Sequence, residues 1–542
     1  MLYLDIETNL AHDTIWCCVL KENDEFSVYM SSDGLQERLD AADIIVGHNI
    51  IGFDARVLLD VWGIYIPLFK MKDTLVLSRL YDTQRKSHKL ASWGKQLNFP
   101  KDDFEDFDGG FSEEMLTYCK KDVDVLIRLD EALTMLSCDF AVNNSVLEHK
   151  VASIICQQEQ NGFKLDIGKA TALWHKFEEE AKKIEEELQE VFPPLTIERV
   201  SEKTGKRLKD HIEVFNIESR QQIYKRLLTL GAVFNAKTEK GNFIVNEKVL
   251  KALNMPEADR ICQYLLLKKR FAQVENWLKH CGSDGRIHGR VITNGAVTGR
   301  MTHLSPNMAQ VPSVKTEYGE ECRSCWIVDK GNVLVGADAS GLELRMLAHF
   351  MNNEEYTNEI LSGDIHTANQ KAAGLKTRDQ AKTFIYSFLY GAGAGKIGEI
   401  VGGDYREGGR LIKTFLDNMP SLKKLREDTI KEAEKGWIRG LDGRKLVVRS
   451  FHSALNTKLQ AAGAIIMKQA LVILNDRLVE QSIPHWFVAN VHDEWQIECP
   501  ESEGDKIGRE AVKAIREAGR FFSLNCPLDG EYKIGKNWAE TH

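Results

Sequence analysis

Four stretches of this 542-residue chain hold carboxylates or cations at spacings that suit phosphate chemistry. In MLYLDIETNL, Asp5 and Glu7 stand two apart in an apolar run. On a strand such residues face one side, about 7 Å apart, so both can reach one divalent cation. In GNVLVGADASGLELRMLAHF, Asp338 ends the buried-strand signal Val333-Leu334-Val335, and a helical pattern starts near Gly341. In HWFVANVHDEWQIECP, two β-rich runs flank His492-Asp493-Glu494, a hairpin pattern with acids at its tight turn. Burying an unpaired carboxylate is costly, so acids at the ends of apolar strands need water or a cation. Two aspartates from separate strands can hold two Mg2+ about 3.5–4 Å apart, a pair that activates an attacking oxygen and neutralises a leaving phosphate. Taken singly, each acidic site is better read as a solvated strand end or turn. In TRDQAKTFIYSFLYGAG, Arg378, Lys382, Tyr386 and Tyr390 recur every four residues. Four residues advance a helix by about 400° and 6 Å, which makes one slowly drifting stripe. Its two cations suit successive phosphates of a nucleoside triphosphate, and its two aromatics can stack on a base. Gly391 and Gly393 are expected to end the helix.

The elements that must position these groups divide the chain. Residues 1–140 alternate short apolar runs (LYLDI, ADIIVGHN) with helical patterns, an α/β arrangement. A charged helical zone follows, where Leu173, Phe177, Ala181, Ile184, Leu188 and Val191 form one apolar stripe stopped by Pro193-Pro194. From Lys203 to Arg226, seven basic residues stand against three acidic ones, and the segment reads as a loop open to DNA contact. From Asp102 to Glu114, seven acidic residues without a basic one read as a solvated loop. Gly-marked turns punctuate mixed helix and strand from about residue 290 onward.

Composition bounds the class. Hydrophobic residues make up 43% and charged residues 28%, an ordinary globular balance. The formal charge of −9 disfavours a protein coated in nucleic acid but leaves room for a local basic surface. Eleven cysteines without framework spacing read as reduced thiols of a cytoplasmic protein. The lone Cys322-x-x-Cys325 lacks the second pair that a structural zinc wants. No long apolar run predicts a membrane span, and strand-like sequence from Leu2 leaves no place for a targeting leader.

These residues carry a resemblance. DASGLELR, the Arg378–Gly391 stretch and VHDE resemble the three motifs of family A DNA polymerases, in order and in internal spacing. SRLYDTQ with SHKLASWGKQL, NGAVTGRMTHLSPNMAQVP, GDIHTANQ and GLDGRKLVVRS extend the likeness over nearly the whole chain, toward bacteriophage replicative polymerases of the T-seven type. The resemblance implies an α/β and α+β multidomain fold: an RNase H-like 3′–5′ exonuclease domain (1–140), then a right-hand polymerase. The expected limits are 141–290 for the thumb and connecting helices with a short basic loop, 291–351 and 451–542 for the palm, and 352–450 for the fingers.

It also implies roles. Asp338 and Asp493 would ligate two metal ions, with the Ala339 carbonyl as a further ligand. Arg378, Lys382 and His366 would hold the incoming triphosphate, and Lys382 would give a proton to pyrophosphate. Tyr390 would stack near the template base, Glu343 would exclude a ribose 2′-hydroxyl, and Tyr386 goes with tolerance of 3′-deoxy nucleotides. Arg300, Gln460 and His492 would touch primer–template in the minor groove, where acceptors are nearly the same for every correct pair. With GHNIIGFD (Asn49, Asp54) and Tyr118-x-x-x-Asp122, the opening pair resembles the tyrosine subclass of DEDD-type 3′–5′ exonucleases. Asp5, Glu7, Asp54 and Asp122 would then hold two metals and Tyr118 would orient the attacking water, while Asp73 and Asp124 read as structural.

The implied cofactor is Mg2+, two ions per active site, with Mn2+ as a substitute. The implied ligands are primer–template DNA and dNTPs. A replicative helicase–primase and a single-stranded DNA-binding protein are candidate partners. Thioredoxin is not expected, because the gap from Phe192 to Phe215 is short where the T-seven type carries a long thumb insertion. A single-subunit RNA polymerase shares the palm aspartates and an Arg/Lys helix, but Glu343 and the exonuclease set argue against it. A DNA-binding scaffold with decayed sites predicts missing carboxylates, and every expected one is present.

Overall fold

The computed structural model describes residues 1–137, 142–200, 205–235, 237–238 and 241–542. Its N-terminal sheet contains β1 (Leu2–Thr8), β2 (Ile15–Glu22), β3 (Glu25–Tyr29), β4 (Ile45–Gly47) and β5 (Met71–Asp73), in the order β3-β2-β1-β4-β5. β2 runs antiparallel to β1 and β3, and β4 runs parallel to β1 and β5. Period-two alternation sends Leu2, Leu4 and Ile6 of β1 into an apolar core with Val57 and Leu58 of α1 (Asp54–Trp62). Tyr3, Asp5 and Glu7 face the other side, against α2 (Glu113–Ser137), where the Tyr3 hydroxyl reaches Asp130 at 3.2 Å.

α3 (Val142–Asn161) leads out of this unit. Its Leu147, Val151, Ile154 and Ile155 join the main core of the C-terminal half, while Ala152 packs on the N-terminal core. The first part of the 141–290 segment therefore lies between the two halves. Beyond it, α4 (Ile167–Val191) packs along what becomes α6 (Pro256–His280). Leu173, Phe177, Ala181, Ile184 and Leu188 are buried as their spacing predicts. Val191 is 45% exposed, because the stripe runs out at the last helical turn.

The basic run is not a loop. Its described residues form β7 (Arg207–Glu213), paired in an exposed antiparallel ribbon with the preceding β6 (Leu195–Val200), and most of α5 (Arg220–Thr229). Residues 201–204 lie outside the described part. Arg226 is buried and donates to the carbonyl of Pro193 at 2.9 Å, closing the ribbon's base.

The C-terminal half is built on β8 (Asn332–Ala339), β9 (Trp486–Val491), β10 (Glu494–Pro500) and β11 (Gly530–Gly535), an antiparallel sheet in the order β9-β10-β8-β11. α7 (Leu342–Met351) follows the end of β8, and α8 (Ile365–Ala373) and α9 (Arg378–Leu389) pack on each other and share the sheet's core. α10 (Ala454–Glu480) and α11 (Gly504–Phe521) complete the core. Among the described residues one helical stretch, Phe451–Glu480, is long and apolar enough to span a membrane, and 72% of its apolar window is buried inside the protein. Its apolarity is accounted for by this core.

Two candidate active sites

The N-terminal acids converge. Glu7, Asp54 and Asp122 are buried and Asp5 is half-buried. β1 supplies two of them, the first residue of α1 supplies Asp54, and α2 supplies Asp122 one turn beyond Tyr118. Burial and then the charges of Glu7, Asp54 and Asp122 push the Asp5 carboxyl well above the carboxylate range. Burial and then Asp122 lift Glu7 to about 8, and burial lifts Asp54 to about 7. Asp122 is raised by burial despite the pull of Lys101. Asp122 Oδ1 is buried with no hydrogen-bond partner. Crowded, all-oxygen and partly unsatisfied, this donor set fits a hard divalent cation. The Cys119 thiol also comes within ligand distance, 3.6 Å from Asp5 Oδ2.

The loop carrying Asn49 and Asp54 is fixed by Asp73, whose carboxylate accepts from the backbone N–H groups of Asn49 (3.0 Å) and Ile51 (3.1 Å). Asp124 pairs with Lys21 at 2.7 Å. Both acids thus hold structure, as the sequence suggests. One participant was missed: Lys101 Nζ lies 2.5 Å from Asp122 Oδ2 and 4.5 Å from the centroid of the Tyr118 ring. It sits in irregular chain before the acidic run, where no periodicity marks it. A cleft of about 700 Å3 lined by Asn49, Arg79, Arg85, Lys89 and Arg290 opens beside this loop, between the two halves.

The second cluster lies on the C-terminal sheet. Ladder pairing sets Asp338 opposite Glu494, and the Ala339 N–H donates to the Asp493 carbonyl at 3.2 Å. The two aspartates are therefore neighbours across β8 and the β9–β10 turn. That turn is only His492-Asp493, and it holds His492 in the left-handed region at φ 59°. Although the tip of Asp338 reaches solvent, the enclosing protein and then the charge of Asp493 push its carboxyl up to about 8. Asp493 is raised by burial and then by Glu343. Glu494 is buried differently: it accepts from Trp538 Nε1 at 2.7 Å and pairs with His542, so it braces the sheet.

Thr377 caps α9, and Tyr390 with Gly391 (φ 80°) ends it. Arg378 pairs with Asp364 at 2.7 Å, and the same carboxylate caps α8 through the His366 N–H. The His366 imidazole is held below its ordinary value by burial and then by Arg378 and Lys382, and its ring centroid is 6.3 Å from that of Tyr386. These four predicted residues thus share one place. The Tyr390 hydroxyl donates to Glu343 Oε1 at 2.9 Å, and Arg300 approaches the same oxygen at 3.4 Å. Arg300 and His492 line a small pocket with Lys468 and Asn490, and Gln460 lies half-buried two turns earlier on α10.

An acid-bearing antiparallel sheet whose Asp493 lies within electrostatic reach of a cation-bearing helix suits a nucleotide-polymerising site. A solved structure of the POL domain of Pol1 from M. smegmatis, in complex with DNA primer-template and dNTP, shares this fold with a TM-score of 0.83. The match covers 99% of this chain and 95% of that one at 19% identity. The DNA-directed DNA polymerases of Enterobacteria phage T3 and Escherichia phage T7 are each 34% identical to this chain, over 96% of it and 95% of their own length. The model of DNA polymerase family A matches residues 179–540. The chain belongs to that family and is a DNA-directed DNA polymerase.

Proposed function

We propose that this polymerase is the replicative enzyme of a bacteriophage and that it both extends and edits a primer. The observation that carries this reading is the presence, in one chain, of two separate clusters of buried or crowded carboxylates with raised proton affinity. At the synthetic site Asp338, Asp493 and the Ala339 carbonyl would hold two Mg2+. Arg378, Lys382 and His366 would bind the triphosphate of a dNTP, with Tyr386 and Tyr390 beside the base pair and Glu343 against the sugar. Arg300, Gln460 and His492 would grip primer–template. At the editing site Asp5, Glu7, Asp54 and Asp122 would hold two Mg2+, and Tyr118 would orient a water. When bound, the cations supply charge neutralisation at the attacking and leaving oxygens of an in-line displacement. The cleft lined by Arg79, Arg85, Lys89 and Arg290 is suited to a single strand approaching the editing site.

The proposed limits are 1–140 for the exonuclease unit, 141–290 for the thumb with connecting helices, 291–351 with 451–542 for the palm, and 352–450 for the fingers. The proposed place of action is the host cytoplasm, with a helicase–primase and a single-stranded DNA-binding protein as partners. Primer extension with Mg2+ on a long single-stranded template tests the reading. Asp493→Ala is expected to abolish synthesis and spare excision, and Asp5→Ala to do the reverse. Full excision by Asp5→Ala protein would sink the editing assignment.

A further inference from the structure

The two sites are joined through adjacent residues of α3. Glu148 is fully buried and accepts from Lys468 Nζ at 2.8 and 2.9 Å and from Arg444 Nη1 at 2.8 Å. Lys468 Nζ also donates to Asn294 Oδ1 at 2.7 Å, and Arg444 pairs with Asp442 at 2.7 Å. Two acids and two cations thus balance in a dry place. Their outlet is the turn from Asn294 to Arg300. Asn294 anchors its start, and at its end the Arg444 guanidinium lies so close that a Cβ on Gly299 would stand 3.1 Å from Nη1. The next residue is Arg300.

His149 faces a different side of α3, since successive residues of a helix point about 100° apart. Its Nε2 accepts the backbone N–H of Asp73 at 2.8 Å, so its Nδ1 donates to the Ser145 carbonyl at 2.7 Å. Asp73 in turn holds the backbone of Asn49 and Ile51, in the loop that leads to Asp54. Cys156, two turns on along α3, contacts the Ile51 carbonyl at 3.6 Å.

We propose that Glu148 and His149 are positioning residues that set the balance of synthesis against excision: Glu148 fixes the turn that presents Arg300 to the primer, and His149 fixes the loop that presents Asp54. This rests on the two-site reading above. A looser Arg300 turn releases the primer end to the editing site more often. A looser Asp54 loop slows excision alone. Neighbouring residues therefore act on the balance in opposite directions.

The test is the ratio of nucleoside monophosphate released to nucleotide incorporated, on a correctly paired primer–template with all four dNTPs. Glu148→Gln is expected to raise the ratio at least about threefold, and His149→Leu to lower it by a similar factor. Asn294→Ala, which leaves Glu148 with Lys468 and Arg444, is expected to act like Glu148→Gln and carries that arm should the latter not fold. His149→Gln, whose amide oxygen can accept the Asp73 N–H, is expected to restore the wild-type ratio. Equal loss of both activities, with the ratio unmoved or moved the same way by Glu148→Gln and His149→Leu, would overturn the inference. Asp5→Ala separates the two levels. If it releases no monophosphate, the editing site stands whatever the neighbours do; if it releases as much as wild type, the two-site reading fails and this inference with it.

Discussion

Lys101→Met tests how the proposed editing site tolerates four acids. Lys101 donates to Asp122 and lowers the proton affinity of Asp5, Glu7 and Asp122 together. A hydrogen bond between charged groups is worth about 1.5–3 kcal/mol, and one pH unit is about 1.4 kcal/mol. The lysine side chain is only 20% exposed, so solvent screens little of this. Removing the ammonium should raise the proton affinity of Asp122 most, because it loses both the charge and the hydrogen bond, and that of Asp5 and Glu7 less. Excision needs the carboxylates ionised to hold cations. Its acid limb should therefore move to higher pH by about one unit, with about a tenfold loss near neutrality. The loss should recover at alkaline pH or at raised Mg2+. The assay is release of the 3′ nucleotide from a labelled single-stranded oligonucleotide at limiting Mg2+, from about pH 5.5 to about 9.5. Synthesis at the distant site, followed in parallel, should keep its profile. An unmoved acid limb, or one moved toward acid, would refute the assignment of Lys101 as the cluster's counter-charge.

Arg444→Met should destabilise the C-terminal half by about 3–5 kcal/mol, because Glu148 and Asp442 lose a buried partner; urea unfolding reads it. If Glu343 stands against the sugar as proposed, Glu343→Ala, which removes a carboxylate braced by Tyr390 and Arg300, should raise incorporation of ribonucleotides relative to deoxyribonucleotides by at least about tenfold. Unchanged selectivity in single-nucleotide insertion kinetics would remove Glu343 from that role. Reduced thioredoxin should leave product length on a long template unchanged, because the proposed thumb carries only a short segment between Phe192 and Phe215.

What the sequence discloses depends on the range of the interaction. Asp5 and Glu7 are legible from their own strand: period two buries Leu2, Leu4 and Ile6, and the acids must take the opposite face. The α9 stripe is legible for the same reason, with Thr377 and Gly391 as visible punctuation. That Asp54 and Asp122 complete the first cluster needed the resemblance, since nothing in GHNIIGFD or in α2 announces that they meet β1. The ribbon was misread because it packs on little. RLKDHIE puts Leu208 and Ile212 on one face of the strand with Asp210 between them, and both apolar residues remain exposed, so no buried face sharpens the pattern against the Lys, Gly and Thr around it.

Charged residues in the interior are the harder case, and α3 shows why. In NSVLEHKVASII nothing local marks Glu148 or His149 as an interior residue. The structure buries both, because Lys468 stands against Glu148 from 320 residues away and the Asp73 backbone reaches His149 from 76. A charge is affordable in the interior only with its partner in place, and a partner that distant leaves no periodicity. The same absence hid Lys101, whose neighbours in sequence are acids facing water and whose neighbour in space is an acid facing inward. Both sites thus rest on groups of one kind: polar residues whose local sequence predicts solvation and whose long-range pairing turns them into struts. Such residues are where substitution should shift the division of labour between the sites without touching a carboxylate of either.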